Sequence, residues 1–594
     1  MTTTLSFGAI PQGGGKTRFR LWAPGHQAAE VVLDGKASIP LHKRPDGWWE
    51  AEAEAPAGSR YRYKLGNGME VPDPASHAQD GDVDGWSLVV DPGAYRWQHP
   101  DWKGLPWPRA VVYELHVGLY GGFRGVVADL PRLAALGVNT IELMPVADFA
   151  GLRNWGYDGV LPYAPDETYG TPDDLKALVD AAHGHGLSVM LDVVYNHFGP
   201  AGNYWGSIAP VFFHQDKANP WGQSIDFSRP QVRDFFMENA LYWLTEFRFD
   251  GLRLDAVHAI EDETFLAELS ACIRGATAGR HVHLVLENEQ NDAALLETHF
   301  DAQWNDDVHH CLHVLLTGEH DAYYIDYADD PAGHLAHALA TGFVYQGNES
   351  RNLGHARGKP SGHLRPSAFV NALQTHDQVG NRAMGERIAQ IAPPEGVRAA
   401  LLLLLLSPQV PMLFMGDEWA SERPFLFFTG FQTDELADAV REGRRKEFAR
   451  FPAFADPERR EKIPDPNAIS TFTASRPDPA ERLQPKHAAV EEFVTALLRQ
   501  RREVLGERLD GTTSLGSDKL GDKGVRAQWR LGDGAVLTIA ANFGPGPVPC
   551  PAGPGTLLAE SREGLASVLE AEGLGGLGAV AWIASETGIA ETLW

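Results

Sequence analysis

Carboxylates and imidazoles gather at the ends of apolar runs in this chain. Asp192-Val-Val-Tyr-Asn-His197 closes one run and Arg253-Leu-Asp255-Ala-Val-His258 a second; Glu287 terminates HVHLVLE, and Gln374-Thr-His376-Asp377 ends a fourth. An acid-assisted displacement at an acetal carbon needs one ionised carboxylate as nucleophile and one protonated carboxyl as acid, about 5 to 5.5 Å apart if configuration is retained. Arg253 lies two residues before Asp255, so on an extended strand the two side chains share a face and the guanidinium holds that carboxylate ionised. Glu287 follows an apolar approach that raises its pKa and keeps its proton. One Asp at a strand end is more often a helix cap or an ion-pair partner. Several such ends meeting at one mouth point instead to a reactive site.

The elements that must position these groups are read from alternation. AVVYELHV at 110, VNTIELM at 138, LSVMLDVV at 187, DGLRLD at 250, HVHLVLE at 281, DAQWN at 301, AFVNALQ at 368 and VPMLFMG at 410 are short buried runs separated by helical segments. That order predicts an α/β fold, a (β/α)8 TIM barrel, whose reactive groups sit at the C-terminal ends of the strands. Thr171 with Pro172 reads as a helix start, and Ser228-x-x-Gln231 as a capping box for the helix carrying Val232, Phe235, Phe236 and Trp243. Residues 1–95 alternate as an N-terminal immunoglobulin-like β-sandwich, 96–510 form the barrel with inserted loops, and 511–594 form a C-terminal β-sandwich.

Composition narrows the partners. With 51 basic and 79 acidic side chains the formal charge is −28, which opposes phosphate backbones and anionic membrane surfaces. No nucleic acid and no membrane partner is expected, and the apolar run 399–406 falls far short of the ~20 residues a spanning helix needs. Cys272, Cys311 and Cys550 are too scattered for a disulfide framework, and MTTTLSFGAI lacks the basic and apolar regions of a secretion signal, so a cytoplasmic location is expected. Gly13-Gly-Gly-Lys-Thr17 is not a phosphate loop, because Ile10 stands at its first glycine position. Asp306-Asp-Val-His-His-Cys-Leu-His313 is rich in donors but has no metal-specific spacing, and no metal is expected. Trp48-Trp49 reads as core or domain interface ahead of a glucan contact, and Arg444-Arg-Lys446 as a solvated face or a contact to the barrel rim.

In their order and spacing, Asp192-Val-Val-Tyr-Asn-His197, Gly251-Leu-Arg-Leu-Asp255, Leu286-Glu287-Asn288 and Thr375-His-Asp377 resemble the four signature regions of the α-amylase family of glycoside hydrolases, family 13. FRLWAP, Gly47-Trp48-Trp49 and Tyr61-Arg-Tyr63 resemble the N-terminal sandwich shared by isoamylases, branching enzymes and trehalohydrolases. The resemblance implies that Asp255 is the nucleophile, Glu287 the acid/base and Asp377 the carboxylate that grips sugar hydroxyls. It also implies that Arg253 positions Asp255, His197 and His376 bond the sugar in subsite −1, Asp192 braces its strand, and Tyr157 stacks beneath the sugar.

Within the family, NWGYDGV, DVVYNHFGPAGNY, LENEQN, WNDDVHH and FMGDEWASERPFLFF look most like the maltooligosyltrehalose trehalohydrolases. These enzymes cut the α-1,4 bond next to a terminal trehalose without a cofactor, on an α-glucan whose trehalosyl end is made by a synthase. Contacts for the +1 and +2 sugars are then expected near His258, Trp221, Asp306 and Asp307. Asn196 matches a position that binds calcium in many α-amylases, but resemblance to the trehalohydrolases implies no calcium there. The loop Gly118–Gly125 after strand one is shorter than in many relatives. A branching enzyme or general α-glucan hydrolase shares the same chemistry, and an inert glucan-binding scaffold has no need of all three carboxylates.

Overall fold

The computed structural model describes residues 5–260, 262–449, 454 and 456–585. Part of the segment read for a secretion signal (1–4) and the end of the C-terminal unit (586–594) lie outside them. Eight parallel strands close into a barrel in the order of the chain: β1 Val112–Leu115, β2 Thr140–Leu143, β3 Ser188–Val193, β4 Gly251–Leu254, β5 His283–Leu286, β6 Ala302–Trp304, β7 Phe369–Ala372 and β8 Val410–Phe414. Each falls inside one of the eight apolar runs. Every residue of β1 to β8 is buried, as strands with helices outside and side chains filling the barrel must be.

Register decides which strand ends meet. Arg253 pairs with Val285 and Leu254 with Leu286. Asp255 and Glu287 therefore leave neighbouring strands at the same level, where backbones run about 4.8 Å apart. The ladder carries one step beyond the strands, with the Asp255 N–H donating to Val193 O and the Glu287 N–H to Leu254 O, both at 3.0 Å.

The helices follow their local chemistry, with one correction. Helix α1, Phe123–Leu136, precedes α2, Pro172–Gly184, which starts at the expected cap: Thr171 accepts from the Asp174 N–H, and Asp174 returns the bond to the Thr171 N–H. Helix α3, Pro230–Thr245, does not use the expected box. Its N-cap is Arg229, because Ser228 is turned to Asp226, whose carboxylate accepts both its N–H and its hydroxyl. Pro230 at the first helical position tolerates this, since it has no N–H to satisfy.

The flanking sheets close onto the barrel. The N-terminal sandwich packs a four-stranded sheet containing Lys16–Trp22 and Trp48–Glu54 against a six-stranded sheet containing Ala29–Leu33 and Arg60–Leu65, with Phe19 and Tyr61 ring to ring at 5.0 Å. It docks through Glu238 of α3, which accepts from the N–H groups of Ser6 at 2.7 Å and Phe7 at 2.9 Å. Trp48 and Trp49 belong to this packing: Trp49 is buried, and Trp48 lies against Phe7 and under Arg20. The C-terminal unit is, among the described residues, one five-stranded antiparallel sheet. One face packs on barrel helices Pro331–Thr341 and Pro394–Leu406, and Leu565–Glu572 covers the other. Helices thus supply the layers that a second sheet supplies in a sandwich.

Candidate active site

Arg253 is the centre of the strand-end cluster. It is buried, its Nη1 donates at 2.8 Å both to Asp255 Oδ1 and to Asp192 Oδ2, and its Nη2 lies 3.7 Å from Glu287 Oε2. The guanidinium rests 4.0 Å above the ring of Trp304 at the end of β6, which adds a cation–π contact to the ion pairs. One fixed positive charge thus faces three carboxyl groups, too few for all three to ionise out of water.

The proton goes to Glu287. Burial pushes its carboxyl up to about 8, against the pull of Arg253 and with the help of the Asp255 and Asp306 charges. Asp192 is raised to about 6, again first by burial, with Arg253 holding it down. Asp255 has the direct bond to Arg253 and opens onto the cavity. Glu287 Oε2 also accepts from the Ala256 N–H at 2.6 Å, a donor aimed by the left-handed backbone of Ala256 (φ 41°). A positive φ at a residue with a side chain is strained, and such strain persists where surrounding structure fixes it.

Asp377 stands in the first turn of the short helix His376–Gly380, capped by Thr375, and accepts from Asn381 Nδ2 at 2.7 Å. Tyr157 stacks on His376, with ring centres 5.0 Å apart, and donates its hydroxyl to Asp192 Oδ2 at 2.6 Å. Its loop is held from below by His116, which burial keeps neutral and which donates from Nε2 to Asn154 O at 2.8 Å. Gly156 makes the turn at φ 106°, where a Cβ would lie 2.2 Å from Pro145 O.

His197 stacks on Trp221 at 5.1 Å, and its ring nitrogens lie 2.9 Å from Tyr157 O and from Asn196 Oδ1. Burial lowers its pKa, so the neutral ring has one N–H for two acceptors. Turning the Asn196 amide so that Nδ2 faces His197 resolves this and pairs an amide nitrogen that otherwise has no partner. Among the described residues, no group of three or more His, Cys, Asp or Glu side chains is arranged to hold a metal ion.

These groups line a cavity of about 550 Å³ at the C-terminal mouth of the barrel. Tyr157, His197, Trp221, Arg253, Asp255, His258, Glu287, Asp306, His376 and Asp377 all face it. Two expected residues do not. Asp192 lies beneath the cavity, bracing Arg253 and Tyr157. Asp307 is fully buried and points into the wall, where Asn291 Nδ2 (3.0 Å), the Val344 N–H (2.7 Å) and the Tyr327 hydroxyl (2.5 Å) donate to it and Arg357 lies 3.3 Å away. Consecutive residues at a helix start diverge by about 100°, so only Asp306 faces the mouth. Burial and Asp377 push the Asp306 carboxyl up to about 7.

The same wall holds residues that no motif announced. Arg357 lines the cavity, donating to Glu289 O at 2.6 Å and to the Tyr327 hydroxyl at 3.0 Å, and Tyr323 lines the same cavity. Arg357 ends the two-residue strand Ala356–Arg357, paired antiparallel with Asn348–Glu349, which is too short to show a periodicity in the sequence. Arg444, read as rim or solvent, reaches the rim: it is buried and donates to Gly380 O and Arg382 O just past Asp377.

Comparison with known proteins is consistent along the chain. Residues 6–94 match carbohydrate-binding module 48 (isoamylase N-terminal domain), 74–218 match the alpha amylase catalytic domain, and 517–582 match a domain of unknown function. A malto-oligosyltrehalose trehalohydrolase of Deinococcus radiodurans is 41% identical over 527 residues, covering 86% of each chain. Another of Rhizobium sp. (strain M-11) is 38% identical over 560 residues, covering 89% of this chain and 91% of the relative. A crystal structure from Salmonella typhimurium, provisionally described as an alpha amylase, superposes with a TM-score of 0.92 at 44% identity, covering 98% of this chain and 100% of that one.

Proposed function

This chain belongs to the malto-oligosyltrehalose trehalohydrolases of the α-amylase family, and from that premise we propose that it cuts the α-1,4 bond next to the terminal trehalose of a maltooligosyltrehalose and releases trehalose. The observation that carries this reading is the division of charge around Arg253: an ion-paired Asp255 beside a Glu287 whose pKa is raised to about 8. Asp255 attacks the anomeric carbon of the glucosyl unit in subsite −1 while Glu287 gives its proton to the departing glycosidic oxygen. Trehalose leaves, and a β-glycosyl ester remains on Asp255. Glu287, now a carboxylate, takes a proton from water, whose oxygen displaces Asp255 and frees the shortened glucan with its configuration retained.

Asp377, His376 and His197 bond the −1 hydroxyls, Tyr157 supports that sugar, and Trp221 lies against His197. The trehalose unit then lies toward His258 and Asp306, which open onto the same cavity. Arg253 and Asp192 act from beneath by holding Asp255 and Tyr157. This assignment goes with a division into 1–95, 96–510 and 511–594, and with action in the cytoplasm after a synthase that builds the trehalosyl end. The three unbridged cysteines fit that compartment.

The test is incubation of the purified protein with maltohexaose and, separately, with a maltooligosyltrehalose of similar length, with products separated by chromatography. Rapid trehalose release from the second and slow attack on the first is the expected result. Equal attack on both, or longer branched products, would move the function to a general glucan hydrolase or a branching enzyme.

A further inference from the structure

We propose that Glu114, on β1, is a positioning residue that keeps the His376 imidazole doubly protonated, so that His376 offers an N–H to the sugar in the cavity. This rests on the reading of His376 as a sugar contact and adds what sets its proton. Glu114 is 1% exposed and grips His376 twice: one carboxylate oxygen accepts from Nδ1 and the other from the His376 N–H at 3.0 Å. With Nδ1–H committed to Glu114, a neutral ring has only a lone pair at Nε2, so only the imidazolium is a donor toward the cavity.

The surroundings favour that charge. Burial opposes it, but Glu114 from β1 and Asp377 from the ring's own helix outweigh burial and the repulsion from Arg253 on β4, and the pKa of His376 is raised. Asp192 on β3 lies in the same field, and His116 on the β1 side is kept neutral by burial. Tyr157 offers its ring face at 5.0 Å, with Trp155 edge-on at 5.5 Å and Trp304 at 6.0 Å. Glu142 stands opposite Glu114 in the β1–β2 register and is pushed well up by burial and by the Asp192 and Glu114 charges. Of the two carboxyl groups, Glu114 is the one bonded to the ring.

The test is Glu114→Gln in the full chain, with two readouts. Histidine-labelled protein, with the His376 resonance assigned by its loss in H376N, gives the imidazole titration midpoint without substrate. The midpoint is expected above 6.5 in the wild type and about one unit or more lower in E114Q. The second readout is kcat/KM for trehalose release against pH. E114Q is expected to match the wild type within about threefold at pH 5 and then to fall about tenfold per unit above its new midpoint, with E114D restoring part of the loss. In an H376N background, E114Q should change nothing further. An unchanged midpoint, or a loss uniform across pH, would overturn the proposal. If E114Q fails to fold, a wild-type midpoint at or below 6.5 does the same. The titration uses no substrate, so failure here is distinct from failure to release trehalose.

Discussion

Asp255 and Asp307 each follow a barrel strand closely and each face an arginine, yet their surroundings are opposite. Asp255 takes one hydrogen bond from Arg253, and its side chain stays 12% exposed to the cavity. Asp307 is 0% exposed and is surrounded by donors from Asn291, Tyr327, Val344 and Arg357. A saturated carboxylate fixes a wall, whereas one held by a single ion pair keeps an oxygen for chemistry. The difference predicts that substitutions at the two sites separate activity from stability.

The sharpest break is Asp255→Ala, expected to lower kcat for trehalose release by about 10⁴-fold or more, as loss of a covalent nucleophile does. Its thermal midpoint should match or exceed that of the wild type, because the lost carboxylate was under-bonded. Substantial residual turnover would remove Asp255 from the nucleophile's place. Asp307→Ala should act through stability instead, costing about 3 kcal/mol by taking the carboxylate from Arg357 and leaving the wall donors unpaired, seen by calorimetry as a lower unfolding temperature. A fully stable D307A would end the contrast.

The charge division around Arg253 is sharpened by pH. Glu287 is protonated below about 8, so kcat/KM should fall by about tenfold per unit above that value, an apparent constant of the coupled pair. The sign for stability is set by its raised folded pKa. The native state holds a proton that the unfolded chain has released above about pH 4.5, so stability declines as pH rises from there to about 8. Glu287→Gln should remove that decline while removing acid catalysis, measured as melting temperature against pH. The smallest effect belongs to Trp221, half-exposed and stacked on His197. Trp221→Ala should raise KM for maltooligosyltrehalose by about three- to tenfold with little change in kcat, the range of one aromatic contact. A loss confined to kcat would place Trp221 nearer the chemistry.

Much of this was legible before any coordinates. The eight strand runs were visible because parallel strands buried on both faces are short and apolar throughout. Arg253 and Asp255 could be paired from their spacing, because side chains two residues apart on a strand share a face. The Ser228 box was misread because Asp226, two residues upstream, competes for the serine through a local turn, and local patterns do not rank competing acceptors. Asp306 and Asp307 looked equivalent because adjacency in sequence does not say which way a helix start is turned.

Residue type and short spacing were enough for the order of strands, the carboxylates at their ends and the family they resemble. Packing settled that Asp192 lies beneath the cavity and Asp307 inside its wall, that Arg357 joins the site from the short strand Ala356–Arg357, and that Glu114 on the first strand grips His376 after the seventh. The longest of those pairings, Glu114 with His376, joins residues 262 apart in the chain. They follow from barrel closure and register, and the protonation of Glu287 follows from the same source, because burial and three neighbouring charges set it together.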